Sequence, residues 1–283
     1  MLFTMKWIRL FIVVISLGYF EGAGQNLHQT FDFALDQFRQ GNGIAAEKAF
    51  KRVLFFDKEN QYRSTCLEKL AVITSEKGDL LTTLNYLDQS YFLSSDPLQQ
   101  ANLQFARIRI FIETQEYQKA LTELYQIELE IAPEKVALYE GYCQYKLKDF
   151  MAAETAFATL SNTPEKTAAL EINFAQAMKI EESNPRAYQI FSYLVPGLGQ
   201  ILLGDAKSSL NSLLLNGTLV ILFFDTARKL SVFDATLSVL PWFYRYYTGG
   251  VKVTKDLAIA RKAKKHEENL LKIIHDLGLS TNN

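Results

Sequence analysis

The sequence predicts an all-α protein in which a solenoid of helical hairpins is followed by a helical membrane hairpin module. Two observations predict this organisation. Four segments, beginning at residues 41, 78, 115 and 148, share one spacing: a polar turn, a small residue five positions later and a hydrophobe four positions beyond it. Two apolar runs without a charged residue follow these segments, one over residues 187–204 and the other over residues 208–224.

The net charge of the sequence changes from negative to positive near residue 184. Of the 283 residues, 48% are hydrophobic, which argues against disorder. Residues 25–184 carry 16 Lys/Arg and 23 Asp/Glu, a net charge of −7, whereas residues 185–283 carry 12 and 7, a net charge of +5. This asymmetry predicts two parts in different surroundings, and the acidic first part argues against nucleic-acid binding.

Residues 1–24 have the pattern of a signal peptide. Two basic residues precede the 11-residue apolar run Leu10–Phe20, and Gly22-Ala23-Gly24 offers small residues to a signal peptidase. The run is short for a membrane span, which favours cleavage before Gln25 over a retained anchor. We therefore expect the repeat domain to be exported to the periplasm.

The cysteines and histidines give no sign of thiol or metal chemistry. Cys66 and Cys143 lie 77 residues apart without a CxxC pattern, and we interpret both as free, semi-buried thiols on helices. His28, His266 and His275 lack the spacing of metal ligands. The sequence predicts no cofactor.

Each recurring segment is predicted to be a helical hairpin within a repeat domain over residues 25–184. The small residue lets two helices approach closely, and the hydrophobe one turn later falls on the same face and fills the groove between them. The small residues are Ala46, Thr83, Ala120 and Ala153, and the hydrophobes are Phe50, Leu87, Leu124 and Phe157. Because the turns recur at 37, 37 and 33 residues, and one hairpin cannot bury its apolar face alone, neighbouring hairpins must stack.

The pattern resembles the tetratricopeptide repeat (TPR). The fourth segment carries the resemblance best, at the small and aromatic positions Gly141, Tyr145, Phe150, Ala153 and Phe157. The resemblance implies four repeats over residues 27–164 and a capping helix at residues 166–181. The third repeat departs from the family pattern at its seventh position, where Arg107 stands.

The resemblance also implies a non-enzymatic protein that binds a protein or peptide partner in a groove lined by the first helices of the repeats. The groove positions are Asn102, Phe105, Arg109, Tyr142 and Tyr145. The same aromatic residues could instead form the core between repeats, and the sequence leaves both interpretations open.

The stretch SYLVPGLGQILLGDA, residues 192–206, contains glycines that invite comparison with phosphate-binding loops. Gly199 and Gly204 have the Walker spacing, but Asp205 and Ala206 stand where lysine and serine or threonine are needed. The dinucleotide-binding pattern fails too, because its third glycine would fall at Leu202. The sequence therefore argues against nucleotide binding.

The same stretch fits the start of a membrane module over residues 185–250. Each uncharged run approaches the roughly 17–25 residues that span a bilayer. A weaker third segment, Leu230–Tyr247, ends in aromatic residues typical of a membrane interface. Basic residues dominate the tail, residues 251–283, which predicts three crossings and a cytoplasmic tail. Two crossings, a re-entrant first segment and a soluble helical domain remain open alternatives.

This module resembles the small TM2-type membrane modules that begin with PGxGQxYxG. The matching residues are Pro196, Gly197, Gly199, Gln200 and Gly204, with Leu202 in place of the tyrosine. The resemblance covers residues 188–262. It implies an inner-membrane protein of the bacterial cell envelope in contact with lipid, but no particular activity.

Three functions are compatible with these features. The leading one is a membrane-anchored TPR scaffold in envelope assembly or membrane-protein biogenesis, with the tail lying on anionic lipid or continuing the last helix. The alternative is a membrane module with its own lipid- or ion-handling role, for which Gln200, Asn211, Asn216 and Asp234 are the polar candidates. A periplasmic hydrolase would need a nucleophile–base pair, and the sequence contains no such motif.

Overall fold

Regular secondary structure is α-helical throughout residues 26–128 and 130–279, which this computed structural model describes, and the predicted all-α class is confirmed. The predicted signal peptide and its cleavage before Gln25 lie outside the described residues. The helices are α1 Leu27–Arg39, α2 Gly43–Phe56, α3 Arg63–Glu76, α4 Leu80–Leu93, α5 Pro97–Glu113, α6 Tyr117–Leu124, α7 Pro133–Lys146, α8 Phe150–Ala158, α9 Pro164–Glu182, α10 Pro185–Leu194, α11 Leu198–Leu202, α12 Ala206–Lys229 and α13 Val232–Asp276.

The first eight helices form four consecutive hairpins, α1/α2, α3/α4, α5/α6 and α7/α8, at the positions that the repeat spacing predicts. The small residues are at most 2% exposed and the hydrophobes one turn later at most 5%. They are Ala46, Thr83, Ala120 and Ala153, and Phe50, Leu87, Leu124 and Phe157. Burial of one large apolar side chain stabilises a fold by about 1.5–3 kcal/mol. The recurring pattern therefore marks the interior of each hairpin.

The turn inside each hairpin places one residue in the left-handed region of backbone space. Gly41 and Gly78 have a φ of 75°, and at the same position of the third and fourth hairpins Gln115 has 61° and Lys148 has 69°. This conformation costs an L-residue about 1–2 kcal/mol, whereas glycine adopts it readily. The third and fourth turns thus carry backbone strain that the first two avoid.

Packing explains two further features of the repeats. A Cβ on Gly141 would lie 2.8 Å from the Phe157 ring, so this glycine lets α7 approach α8 closely. Arg107 lies 3.0 Å from the Asp88 carboxylate and 2.8 Å from that of Glu123. These two carboxylates accommodate the departure from the family pattern in the third repeat.

The chain divides into two compact units, one ending at Val136 and the other beginning at Ala137. The second unit contains most of α7, then α8, the capping helix α9 and the C-terminal helices α10–α13. Within this unit α12 and α13 form an antiparallel hairpin. Its tip is at Leu230 and Ser231, and its base, near Ala206 and Gly250, packs against α10 and α11.

The apolar stripe of the tail packs against protein. Leu270, Ile273, Ile274 and Leu277 are at most 5% exposed and form one cluster with residues of α8 and α9, among them Phe174. Of the two predicted placements, the tail therefore continues the last helix, and it covers α9 as a second cap. The tail, the fourth repeat and α9 therefore belong to one folded unit.

Replacing the strained turn residue Gln115 by glycine should stabilise the protein. Gln115 is exposed, so the substitution relieves backbone strain without removing a buried contact. After subtracting the entropic cost of glycine, we expect the free energy of unfolding to rise by about 0.5–1 kcal/mol. Urea unfolding of the full chain followed by circular dichroism measures the change. The reverse substitution, Gly78→Gln, should lower the free energy of unfolding. A Gln115→Gly variant that also lowers it would show that the turn at Gln115 is not strained.

Candidate functional site

A groove lies between the first helices of the second and third repeats, α3 and α5. Its volume is about 520 Å³. Its buried lining consists of the apolar side chains Ala71, Leu87, Leu103 and Ile110 and of Thr83. Charged side chains of both signs and the neutral Asn102 lie at its rim. The charged ones are Glu68, Lys69, Glu76, Arg109 and Glu113. An apolar floor with a mixed-charge rim suits an amphipathic peptide segment.

Two of the five residues predicted for the groove line it. Asn102 and Arg109 are exposed at its rim. Phe105 is 2% exposed, and the Lys135 ammonium lies 4.2 Å from the centroid of its ring. Burial, together with the nearby Arg109 charge, lowers the pKa of Lys135. Phe105 is a core residue and offers no surface to a peptide.

The two tyrosines of α7 belong to the packing of the second unit. Tyr145 is 1% exposed, with the rings of Phe150 and Phe174 packed edge-on at centroid distances of 5.2 and 6.0 Å. Tyr142 is half-buried and packs against the same cluster. Of the two interpretations of these aromatics, the structure supports the core for Tyr145.

The hydroxyl of Tyr145 joins the fourth repeat to the tail. It accepts a hydrogen bond from Asn269 Nδ2 at 3.1 Å and donates one to the His266 carbonyl oxygen at 3.2 Å. His266 is 5% exposed, its Nε2 lies 2.9 Å from the Glu181 carboxylate, and its ring stacks on Phe150. Sequence patterns of short period could not reveal this site, because His266 and Glu181 are 85 positions apart.

The motif predicted to begin the membrane module forms a close-packed corner between α10, α11 and the hairpin base. Gly197 has a φ of 92°, and its carbonyl oxygen accepts a hydrogen bond from Ser209 Oγ at 2.7 Å. A Cβ on Gly199 would lie 2.2 Å from the Tyr188 carbonyl oxygen. Gly204, with a φ of 78°, follows the end of α11. These glycines permit close approach of backbones and do not form a phosphate-binding loop.

Hydroxyl and amide groups fasten this corner to α13. The Ser192 and Thr254 hydroxyl oxygens are 2.8 Å apart. Gln200 is 1% exposed, and its Nε2 donates to the Gly250 carbonyl oxygen at 3.1 Å. Pro196 separates α10 from α11, because the residue before a proline is disfavoured in a helix. All five residues of the predicted motif therefore lie at one corner of the fold.

Both cysteines are buried free thiols, as predicted. Burial raises the pKa of the Cys66 and Cys143 thiols to about 12. At such a pKa little thiolate is present at neutral pH, and the thiolate is the reactive form.

These observations define an all-α protein of repeated helical hairpins that carries an additional helical hairpin. The sequence matches no protein-family model and no curated protein at a significant level. Among solved structures, a tetratricopeptide repeat protein from Parabacteroides merdae is similar to this chain at 16% identity and a TM-score of 0.46. The match covers 89% of this chain and 100% of that one. The class rests on the hairpins described above, since a similarity this low supports no conclusion.

The contact between the tail and the fourth repeat should weaken in mild acid. Burial lowers the pKa of His266, and Lys148 and Lys262 lower it further, while Glu181 opposes them. The folded protein therefore binds fewer protons at this site than the unfolded chain. The stabilisation is complete above the unfolded pKa of about 6.5 and is lost as the pH falls through that value towards the folded pKa.

We expect the melting temperature of the full chain to fall between pH 7 and pH 5, and to fall less in His266→Gln. The matched control is His275→Gln, which replaces a histidine of the same helix whose side chain is 88% exposed. Thermal melts of the unsubstituted chain and both variants at pH 7 and pH 5 measure this difference in melting temperature. An identical pH dependence in His266→Gln and the unsubstituted chain would refute the assignment.

Proposed function

We propose that this chain is a non-enzymatic scaffold of the bacterial cell envelope. The α12/α13 hairpin anchors it in the inner membrane, and the α3/α5 groove recruits protein or peptide partners. A role in envelope assembly or membrane-protein biogenesis would use both features.

The observation that carries the membrane anchor is the exposure of the hairpin's apolar side chains. Within the described residues, α12 is the one helix long and apolar enough to cross a membrane, and only 11% of its most apolar 18-residue window is buried. A core helix of a soluble protein would be mostly buried. Ile221 is 71% exposed, Phe224 63% and Phe233 70%. Monomeric soluble proteins rarely expose so large a continuous apolar surface.

The hairpin dimensions favour two crossings. The uncharged segment 208–224 is about 25 Å long at 1.5 Å per residue, close to the hydrocarbon thickness of about 30 Å. Charged residues follow it at the tip: Asp225, Arg228, Lys229 and Asp234. With two crossings the repeats and the tail share the base side of the membrane, as their contact requires. If the signal peptide exports the repeats, the tail is periplasmic and the tip cytoplasmic, because folded domains translocate largely regardless of their charge.

Peptide recruitment rests on the groove in the repeat domain. A buried apolar floor favours an apolar anchor residue in the partner, and Arg109 at the rim favours a nearby acidic residue. A second function, lipid binding by the hairpin itself, is favoured by a cavity at its base.

A photo-crosslinking residue at Asn102, on the groove rim, should trap a defined set of partners in cells. The same residue at Arg52, which is exposed and outside the groove, is the matched control. Adding Arg109→Glu should abolish the adducts at Asn102, since it replaces the positive side chain that attracts an acidic partner by a negative one. Adducts that are the same from both sites, or that persist with Arg109→Glu, would exclude the groove as the docking site.

Single cysteines should reveal which residues share a side of the membrane. The native thiols are buried and weakly acidic, so they give little background with a membrane-impermeant maleimide. We expect Gln118→Cys in the repeats and Lys264→Cys in the tail to be labelled from the same side. Lys229→Cys at the tip, whose side chain is 72% exposed, should be labelled only from the other side. Labelling of all three from one side would show that the hairpin does not cross.

A further inference from the structure

A cavity of about 340 Å³ lies at the base of the hairpin, between α11, α12 and α13. Three buried side chains that line it each have a polar atom without a hydrogen-bond partner among the described residues: Gln200, Ser212 and Asn216. They are 1%, 8% and 3% exposed. An unpaired buried polar atom costs about 1–3 kcal/mol, so a bound group that paired with all three would be stabilised at this site.

The orientation of both amides is set by their nitrogen atoms. Gln200 Nε2 donates to the Gly250 carbonyl oxygen at 3.1 Å, and Asn216 Nδ2 donates to the Ser212 carbonyl oxygen at 2.8 Å. A flipped amide would place its oxygen against a carbonyl oxygen. The unpaired atoms are therefore the amide oxygens, Oε1 and Oδ1, together with the Ser212 hydroxyl. Such a cavity needs a hydrogen-bond donor.

The charges around the cavity define the rest of the ligand. No carboxylate lines it, and Arg245 is the one charged residue among the lining side chains. An ammonium group has three N–H donors, which matches three oxygen acceptors, but here its counter-charge must come from the ligand itself. Arg245 supplies a cation for that counter-charge, and a guanidinium pairs well with a phosphate.

We propose that this cavity binds the headgroup of a phosphoethanolamine phospholipid. The primary ammonium donates to Gln200 Oε1, Asn216 Oδ1 and Ser212 Oγ, and the phosphate pairs with Arg245. The lining residues of α12, 208–216, extend from the hairpin base, where headgroups meet the hydrocarbon, to about 12 Å inside the inserted segment, so the bound headgroup lies below the level of the surrounding headgroups. This proposal rests on the membrane insertion of the hairpin proposed above and assigns its base a lipid class.

The headgroup chemistry gives a direct comparison between lipids. Phosphatidylcholine has the same phosphate, but its trimethylated nitrogen has no N–H to donate. Phosphatidylglycerol has the phosphate without the ammonium. We expect full-length protein, purified in detergent and mixed with equal amounts of the three lipids, to retain phosphatidylethanolamine at least about tenfold over the other two in native mass spectrometry. Equal retention, or a preference for phosphatidylglycerol, would overturn the proposal.

Two glycines of the hairpin provide matched variants. A Cβ at either Gly249 or Gly217 meets no atom within 4 Å, and leucine favours a helix more than glycine does, so both variants should fold. Of these two glycines, only Gly249 lines the cavity. We expect Gly249→Leu to remove the lipid preference and Gly217→Leu to keep it. Loss of the lipid preference in both variants, or in neither, would argue against lipid binding in this cavity.

Two polar substitutions test the assigned roles. Asn216→Leu removes one acceptor and should reduce phosphatidylethanolamine retention about tenfold, whereas Ser238→Ala, on an exposed face of α13, should not. Arg245→Gln should weaken retention of all three lipids, with Arg228→Gln at the tip as its control. An Asn216→Leu variant that retains full preference would refute the ammonium site.

Two further outcomes separate this proposal from the one it rests on. Failure of the chain to sediment with phosphatidylethanolamine-free vesicles would mean that the membrane anchor itself is wrong. Sedimentation without a preference for phosphatidylethanolamine would remove the headgroup assignment alone. Competition by soluble phosphoethanolamine at the concentration of the lipid would show that the free headgroup is the ligand, and would overturn the lipid assignment.

Discussion

The packing of the last turns of α13 against the capping helix α9 is the contact on which the second unit depends. Leu270, Ile273 and Ile274 fill a cluster with Phe174 and other residues of α8 and α9. Truncating one such side chain typically costs about 2–5 kcal/mol, so the three together outweigh any surface attraction of the tail for lipid. Because this contact holds the tail against the fourth repeat and α9, the membrane hairpin proposed above would have to cross an even number of times.

The same contact gives a structural explanation for the difference in charge between the acidic first part and the basic second part of the sequence. The basic second part of the sequence looks like a tail that faces the cytoplasm or anionic lipid. In the structure Lys262 pairs with the Glu181 carboxylate at 3.1 Å, and Lys146 of the fourth repeat pairs with Glu267 of the tail. Exposed pairs of this kind contribute little stability each, about 0–1 kcal/mol. They nevertheless show that opposite charges in the two parts of the sequence meet within one folded unit.

The sequence was a good guide wherever an interaction repeats at short range. A small residue and a hydrophobe four positions apart must share a helix face, so Ala153 and Phe157 could be assigned to the hairpin interior without coordinates. Tyr145 could not be assigned in this way, because its hydroxyl partner Asn269 is 124 positions away. For the same reason the surface against which Leu270 and Ile273 pack was not apparent from the sequence.

The glycine-rich corner shows why one sequence motif can suit a hairpin that enters lipid. If the hairpin inserts as proposed, apolar burial offers little drive between its two helices within the hydrocarbon, so close backbone contact and hydrogen bonds at its base would hold them together. Gly199 supplies the close contact, and the Ser192–Thr254 pair supplies a buried hydrogen bond at the same place. Gln200 belongs to this framework through its nitrogen, while its oxygen remains unpaired. One side chain therefore both fixes α11 against α13 and leaves an acceptor at the cavity, which makes ligand binding there sensitive to the packing of the whole corner.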